Sequence, residues 1–124
     1  MSKIYKVLLD SQIIGTTLLE KADAPMGVVF GNISFVNTPS AYNFLKNYCL
    51  NNNIDFTDCP KDKLISTVHI PGLQVMNPDE IEIKGLASSI SGMEGDVFEV
   101  TIEGIRYPFY EKEFPHYVNP YIAE

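Results

Sequence analysis

The chain has 124 residues with a hydrophobic fraction of 45%, two Cys and no Trp, so it can bury one core without disulfides or metals. This composition excludes an intrinsically disordered protein and predicts a single domain over residues 1–124. The 16 acidic against 9 basic residues give a formal net charge of −7, which disfavours direct binding of nucleic acid or of an anionic membrane surface.

Three strands are predicted before the first helix. Residues 3–9 and 13–19 are apolar and β-branched around a short polar break, which is the pattern of a hairpin. Residues 22–27 combine Pro, Gly and an acid, so we expect a loop there. Residues 28–36 then form a third strand, interrupted by Gly31.

One helix is predicted over about residues 38–52. Thr38 is placed to cap it, and Pro39 stands at the first helical position, where a missing N–H costs nothing. Apolar residues recur on one side at helical spacing, and the Asn run at 51–53 ends the helix. The predicted buried stripe consists of Ala41, Phe44, Leu45, Tyr48 and Cys49.

The second half of the chain returns to strands after a predicted polar loop at residues 54–63. Strands are expected over residues 64–70, 72–76, 80–84, 86–90 and 98–103, with turns at 77–79 and 91–96. Residues 80–84 and 98–103 alternate strictly between apolar and polar, so one face of each strand is expected to be wet.

The predicted fold class is α+β: an antiparallel sheet of six to eight strands with one principal helix, about residues 38–52, packed on it. The aromatic tail beyond Gly104 contains Pro115 and Pro120, which disfavour a long helix there.

No pattern for catalysis or for binding a metal or cofactor is present in the sequence. His69 and His116 have no Ser or Cys at a recognisable spacing, so no catalytic residue is predicted. With Cys49 and Cys59 they are too scattered for a zinc site, and no glycine pattern fits a phosphate cradle. The sequence favours a non-enzymatic protein and leaves an enzyme open as the alternative.

The predicted location is the cytoplasm. The apolar run at residues 7–9 is too short for the core of a signal peptide, and no stretch has the length of a membrane helix. Two cysteines suit a reducing compartment better than a secreted disulfide framework.

A protein-binding surface is indicated by two features. Two pairs of glutamates lie on the predicted wet faces and form one acidic face if their strands are neighbours. Tyrosines in the tail add side chains that are common at interfaces. The predicted partner-binding residues are Glu80, Glu82, Glu99, Glu103, Tyr107 and Tyr110. The alternative is that the glutamates only solubilise the sheet and that the tail plugs one of its ends.

Three segments resemble small uncharacterised bacterial proteins: residues 22–31 (ADAPMGVVFG), 92–96 (GMEGD) and 108–116 (PFYEKEFPH). In size and charge the chain is similar to immunity proteins of contact-dependent and polymorphic toxin systems. The resemblance implies a bacterial, cytosolic binding protein whose partner is a basic toxin domain, such as a nuclease. It carries over no catalytic residue.

The sequence leaves two alternative functions, of which the first is favoured. The first is a non-enzymatic inhibitor or immunity protein that binds a basic toxin domain through an acidic surface. The second is a small enzyme or ligand-binding domain with a pocket near His69, His116 and the tail tyrosines.

Overall fold

The computed structural model describes residues 3–122, except for the side chains of residues 120–122. The strands are β1 (Tyr5–Leu9), β2 (Gln12–Thr17), β3 (Lys21–Asp23), β4 (Val28–Phe35), β5 (Phe56–Cys59), β6 (Leu64–Thr67), β7 (Leu73–Met76), β8 (Ala87–Met93) and β9 (Phe98–Glu103). The helices are a 3-10 turn (Ala24–Met26), α1 (Ala41–Asn51), α2 (Phe109–Glu113) and α3 (Pro115–Ile122). This confirms the predicted α+β class, with nine strands in the sheet and α1 as the principal helix.

The sheet has the strand order β5-β6-β8-β9-β4-β2-β1-β7, and β3 pairs with β4 beside this path. Every pairing between these strands is antiparallel. The first part of β4 pairs with β9 and β3, and its last part pairs with β2. Because β7 at the end of the path also contacts β8, the sheet curls back on itself.

The β1–β2 hairpin is confirmed, and its turn has two residues. Leu9 pairs with Gln12, so Asp10 and Ser11 form the turn, with φ of 49° and 71°. Two successive positive φ values are typical of a type I′ turn, whose twist matches that of the paired strands.

Helix α1 packs its predicted apolar side onto the core, but it begins later than predicted. Of the predicted stripe, Ala41, Leu45 and Cys49 are buried and the other two residues are half-buried, while Tyr42, which was not predicted, is buried as well. Its N-cap is Ser40, whose hydroxyl accepts a hydrogen bond from the Asn43 N–H. The Thr38 hydroxyl instead donates to the carbonyl of Val36. Glu94 completes the cap, because its Oε1 accepts from the Ser40 hydroxyl and from the Tyr42 N–H. The cap therefore comes partly from the β8–β9 turn, which no local pattern predicts.

The C-terminal tail folds back onto the core in two short helices. Tyr110, Phe114 and Val118 are buried, and the Phe114 ring stacks on Tyr5 with a centroid distance of 6.0 Å. The tail therefore plugs one end of the curled sheet. No helix in residues 3–122 is long and apolar enough to cross a membrane.

Three segments differ from the sequence predictions. The predicted loop at 54–63 contains β5, because Asp58 is held by the Tyr42 hydroxyl and the Lys46 ammonium of α1. The predicted strand at 80–84 is reduced to one bridge, between Met76 and Glu82. Here the Asn77 side-chain oxygen accepts two backbone N–H groups and fixes a turn in place of a ladder. The predicted loop at 22–27 contains the end of β3 and the 3-10 turn.

Candidate functional site

The outer face of β9 carries two of the predicted glutamates. Phe98, Val100 and Ile102 are buried, whereas Glu99 is half-buried and Glu103 is exposed. This alternation was predicted, and it directs both carboxylates away from the core.

The other two glutamates lie at the β7 end of the sheet. Glu80 is in the turn after β7 and forms an ion pair with Lys6 of β1, at 2.6 Å. Glu82 accepts a hydrogen bond from the Gln74 side chain at 3.2 Å. Strands β4, β2 and β1 lie between β7 and β9, so in the sheet the two pairs of glutamates are not on neighbouring strands.

A carboxylate that the sequence analysis missed joins Glu103 on the outer face. Asp23 of β3 is paired with Val28 of β4, and continuing the β4–β9 register by one residue places Val28 opposite Glu103. Asp23 and Glu103 therefore flank Val28 on three neighbouring strands, about 10 Å apart at the usual strand spacing. We call Asp23, Glu99 and Glu103 the acidic face.

One cation lies among these carboxylates. Lys21 of β3 forms an ion pair with Glu99 at 2.7 Å, and this hydrogen bond raises the pKa of the Lys21 ammonium. The Lys21 Nζ also lies 5.7 Å from the centre of the Phe30 ring, between β3 and β9. The side chains of Asp23 and Glu103 have no ion pair or hydrogen bond within residues 3–122. The acidic face thus keeps a net negative charge.

The two predicted tyrosines have different positions. Tyr107 is 47% exposed, and its hydroxyl donates to the carbonyl of Ala24, the residue after Asp23. It therefore borders the acidic face. Tyr110 is fully buried, and its hydroxyl donates to the carbonyl of Val28. Its assignment as a partner-binding residue is corrected here, because a core side chain offers no surface to a partner.

The two histidines are not part of one pocket. His69 follows β6 and is exposed, and its Nδ1 accepts a hydrogen bond from the Ser88 N–H at 3.1 Å. His116 packs beside Tyr117 and lines a cleft of about 610 Å³ between the tail and β1. Of the two histidines, the cleft includes His116 alone. The side chain of Tyr121, also expected there, is outside the described residues.

Glu113 is the most buried carboxylate of this cleft, with the residue 8% exposed. It accepts hydrogen bonds from the Lys3 ammonium (2.9 Å), the Tyr5 hydroxyl (2.8 Å) and the Asn77 amide (2.9 Å). Burial by itself raises the pKa of Glu113, but the three donors outweigh it and hold the pKa below its usual range. Burial and the bond to Glu113 also raise the pKa of Tyr5. Since both carboxylate oxygens are engaged by the protein, Glu113 is a structural anion.

The cysteines are free, with Cys49 in the core and Cys59 half-buried near Asp62. Burial raises the pKa of the Cys49 thiol. In the part of the chain that the structure describes, no three His, Cys, Asp or Glu residues cluster so as to hold a metal ion.

Asp23 was missed because the pairing of β3 was missed. Its signal in the sequence is short: Lys21 and Asp23 are exposed on either side of half-buried Ala22. Three residues of alternation are too few to predict a strand.

No protein-family model, curated protein or solved structure matches the chain.

Proposed function

We propose that the protein is a non-enzymatic binding protein of the bacterial cytoplasm that neutralises a basic toxin domain, as immunity proteins do. Its binding surface in this proposal is the acidic face. The observation that carries the proposal is the placement of Asp23 and Glu103 on either side of Val28, where neither carboxylate forms an ion pair with a residue in the range 3–122.

The surroundings of the acidic face suit a protein partner. Val28 and Phe30 are half-buried between the charged residues, so a partner that covers them removes apolar surface from water. Tyr107 adds a partly exposed ring at the border of the face. An apolar centre with a charged rim and an aromatic anchor is the usual arrangement of a protein interface.

Charge determines which partner fits this surface. The like charges of Asp23 and Glu103 repel across β4 in the free protein, and a basic partner that covers both is attracted to them. Attraction of this kind acts over about 8–10 Å in salt solution and raises the association rate more than it slows dissociation. We therefore expect binding whose association rate falls as salt is added.

The test compares two double variants with the same change in net charge. Asp23→Lys with Glu103→Lys reverses the acidic face, while Asp55→Lys with Asp79→Lys reverses two exposed carboxylates elsewhere. Each tagged protein is used to capture partners from the native host, and captured proteins are identified by mass spectrometry. We expect a basic protein that is held by the wild type and by the control variant and is lost from the face variant.

Neutralisation is tested with the captured protein itself. Its isolated domain is expressed in a neutral host, where it is expected to slow growth, and co-expression of the wild-type chain is expected to restore growth. The proposal is wrong if the face variant protects as well as the control variant does, or if the captured domain is not toxic.

A second candidate function is binding of a small ligand in the cleft beside His116. The observation that favours it is the cleft volume of about 610 Å³, which falls within the range of ligand pockets. Thermal shift assays against a metabolite library test it, with His116→Ala as the variant that removes the side chain at the cleft. A ligand that stabilises the wild type and the variant equally would contradict this assignment.

A further inference from the structure

A second, smaller pocket of about 360 Å³ lies between the segment before β8 and the start of the tail. Its apolar wall consists of Leu86 and Phe109, and the glycines 85 and 104 complete the wall. Lys84, Arg106 and Glu82 are the charged residues that line it. This volume suits one small molecule.

The backbone around Gly104 is shaped to hold Leu86 over this pocket. The Leu86 N–H donates to the carbonyl of Glu103 at 2.7 Å, which fixes the segment beside β9. Gly104 has a φ of 71°, and a Cβ there would lie 2.8 Å from the Leu86 side chain. A residue with a side chain would therefore displace Leu86. Leu86 is 79% exposed, so the backbone holds a large apolar side chain in contact with water.

The pocket brings two cations together beside apolar surface. Lys3, Lys6, Lys21 and Lys46 each form an ion pair with a carboxylate. Lys61, Lys63 and Lys112 form no ion pair within residues 3–122, and neither do Lys84 and Arg106. Lys84 and Arg106 line the same pocket. Two cations left without an acidic partner beside apolar surface indicate a site for an anion with an apolar body.

We propose that this pocket binds a small hydrophobic carboxylate. Its alkyl chain or ring lies against Leu86 and Phe109, and its carboxylate pairs with the Arg106 guanidinium, whose planar fork matches two oxygens. Lys84 and Arg106 contribute two positive charges and Glu82 one negative charge, so the lining has a net charge of about +1. That charge attracts an anion, and the apolar wall favours one with a hydrophobic body over a phosphate, which has no apolar part to bury. The pocket lining includes no residue of the acidic face, although Glu103 directly precedes Gly104, and the proposal does not depend on the proposed function.

Titration with sodium octanoate, followed by 1H-15N correlation spectra, tests the proposal. We expect saturable shifts centred on the amides of Gly85, Leu86, Gly104 and Arg106. Octanol matches the chain without the charge, and octylamine reverses the charge. Octanol is expected to bind at least tenfold more weakly than octanoate, and octylamine is expected to give no saturable shift at these amides.

Two matched variants assign the charge contact. Arg106→Gln is expected to weaken octanoate binding by about tenfold or more, because a hydrogen bond to a charged group is lost. Lys112→Gln removes an exposed cation outside this pocket and is expected to leave the dissociation constant unchanged. The proposal is overturned if millimolar octanoate gives no saturable shift at these amides, if octanol binds equally well, or if the two variants behave alike.

Discussion

Replacing Glu113 tests how the tail is held to the rest of the fold. This buried carboxylate in α2 accepts hydrogen bonds from Lys3, Tyr5 and Asn77, which lie far from it in the sequence. Glu113→Ala leaves the Tyr5 hydroxyl and the Asn77 amide buried without this acceptor. Each unsatisfied donor is expected to lower the free energy of unfolding by about 1–3 kcal/mol. Lys3 adds less, because its side chain is 46% exposed and regains water. We expect the free energy of unfolding to fall by about 2–5 kcal/mol, mostly from the two buried donors that lose their acceptor.

The effect of Glu113 depends on pH in a definite direction. Its pKa in the folded state is lowered, so its contribution to stability is fully present above the pKa of the unfolded chain, about 4.3. That contribution is lost as the pH falls through the lower pKa of the folded state. Glu113→Gln cannot titrate, so the stability difference between wild type and this variant is expected to shrink as the pH falls from 7 to about 3.

Urea unfolding followed by circular dichroism measures these free energies at each pH. Glu111→Gln is the matched control, since it neutralises an exposed carboxylate of the same helix and should change stability by less than about 0.5 kcal/mol. The reasoning is refuted if Glu113→Ala is as mild as the control. It is also refuted if the difference between wild type and Glu113→Gln stays constant over the acid range.

Three further predictions concern the helix, the thiols and the hairpin. In urea unfolding, Leu45→Ala should lower the free energy of unfolding by about 2–5 kcal/mol, whereas Asn47→Ala at an exposed position should lower it by less than about 0.5 kcal/mol. Equal effects of the two substitutions would contradict the buried face of α1. In denaturant without reductant, a thiol reagent should detect two free thiols, and a count of zero would contradict this prediction. In the native protein, Cys59 should react far faster than buried Cys49. Ser11→Gly should raise the free energy of unfolding by about 0.5–1 kcal/mol by removing a side chain from a left-handed turn position, and a loss of stability would contradict the turn geometry.

Local patterns in the sequence were sufficient for much of the fold. The β1–β2 hairpin, the strand from Phe98 to Glu103 and the apolar side of α1 were all predicted, because each has enough residues to show its periodicity. Where the prediction failed, a contact between distant residues decided the structure. Glu94 moves the cap of α1 to Ser40, and α1 in turn holds Asp58 of β5.

The candidate site was predictable only in part for the same reason. Alternation placed Glu99 and Glu103 on the outer face, but it could not show that β3 pairs with β4 and brings Asp23 beside Glu103. The aromatic content of the tail gave no means of separating exposed Tyr107 from buried Tyr110. That difference depends on which ring reaches the core when the tail folds back, which is a property of the tertiary structure.

The measurement that tests the central claim most directly is the salt dependence of association between this chain and the captured basic domain, by surface plasmon resonance. For the wild type, the association rate is expected to fall steeply as the salt concentration rises. Asp23→Lys with Glu103→Lys is expected to lower the rate by about an order of magnitude at low salt, and the gap should close at high salt. Asp55→Lys with Asp79→Lys should stay much closer to the wild type. If the two variants associate at the same rate at every salt concentration, the acidic face is not the binding surface.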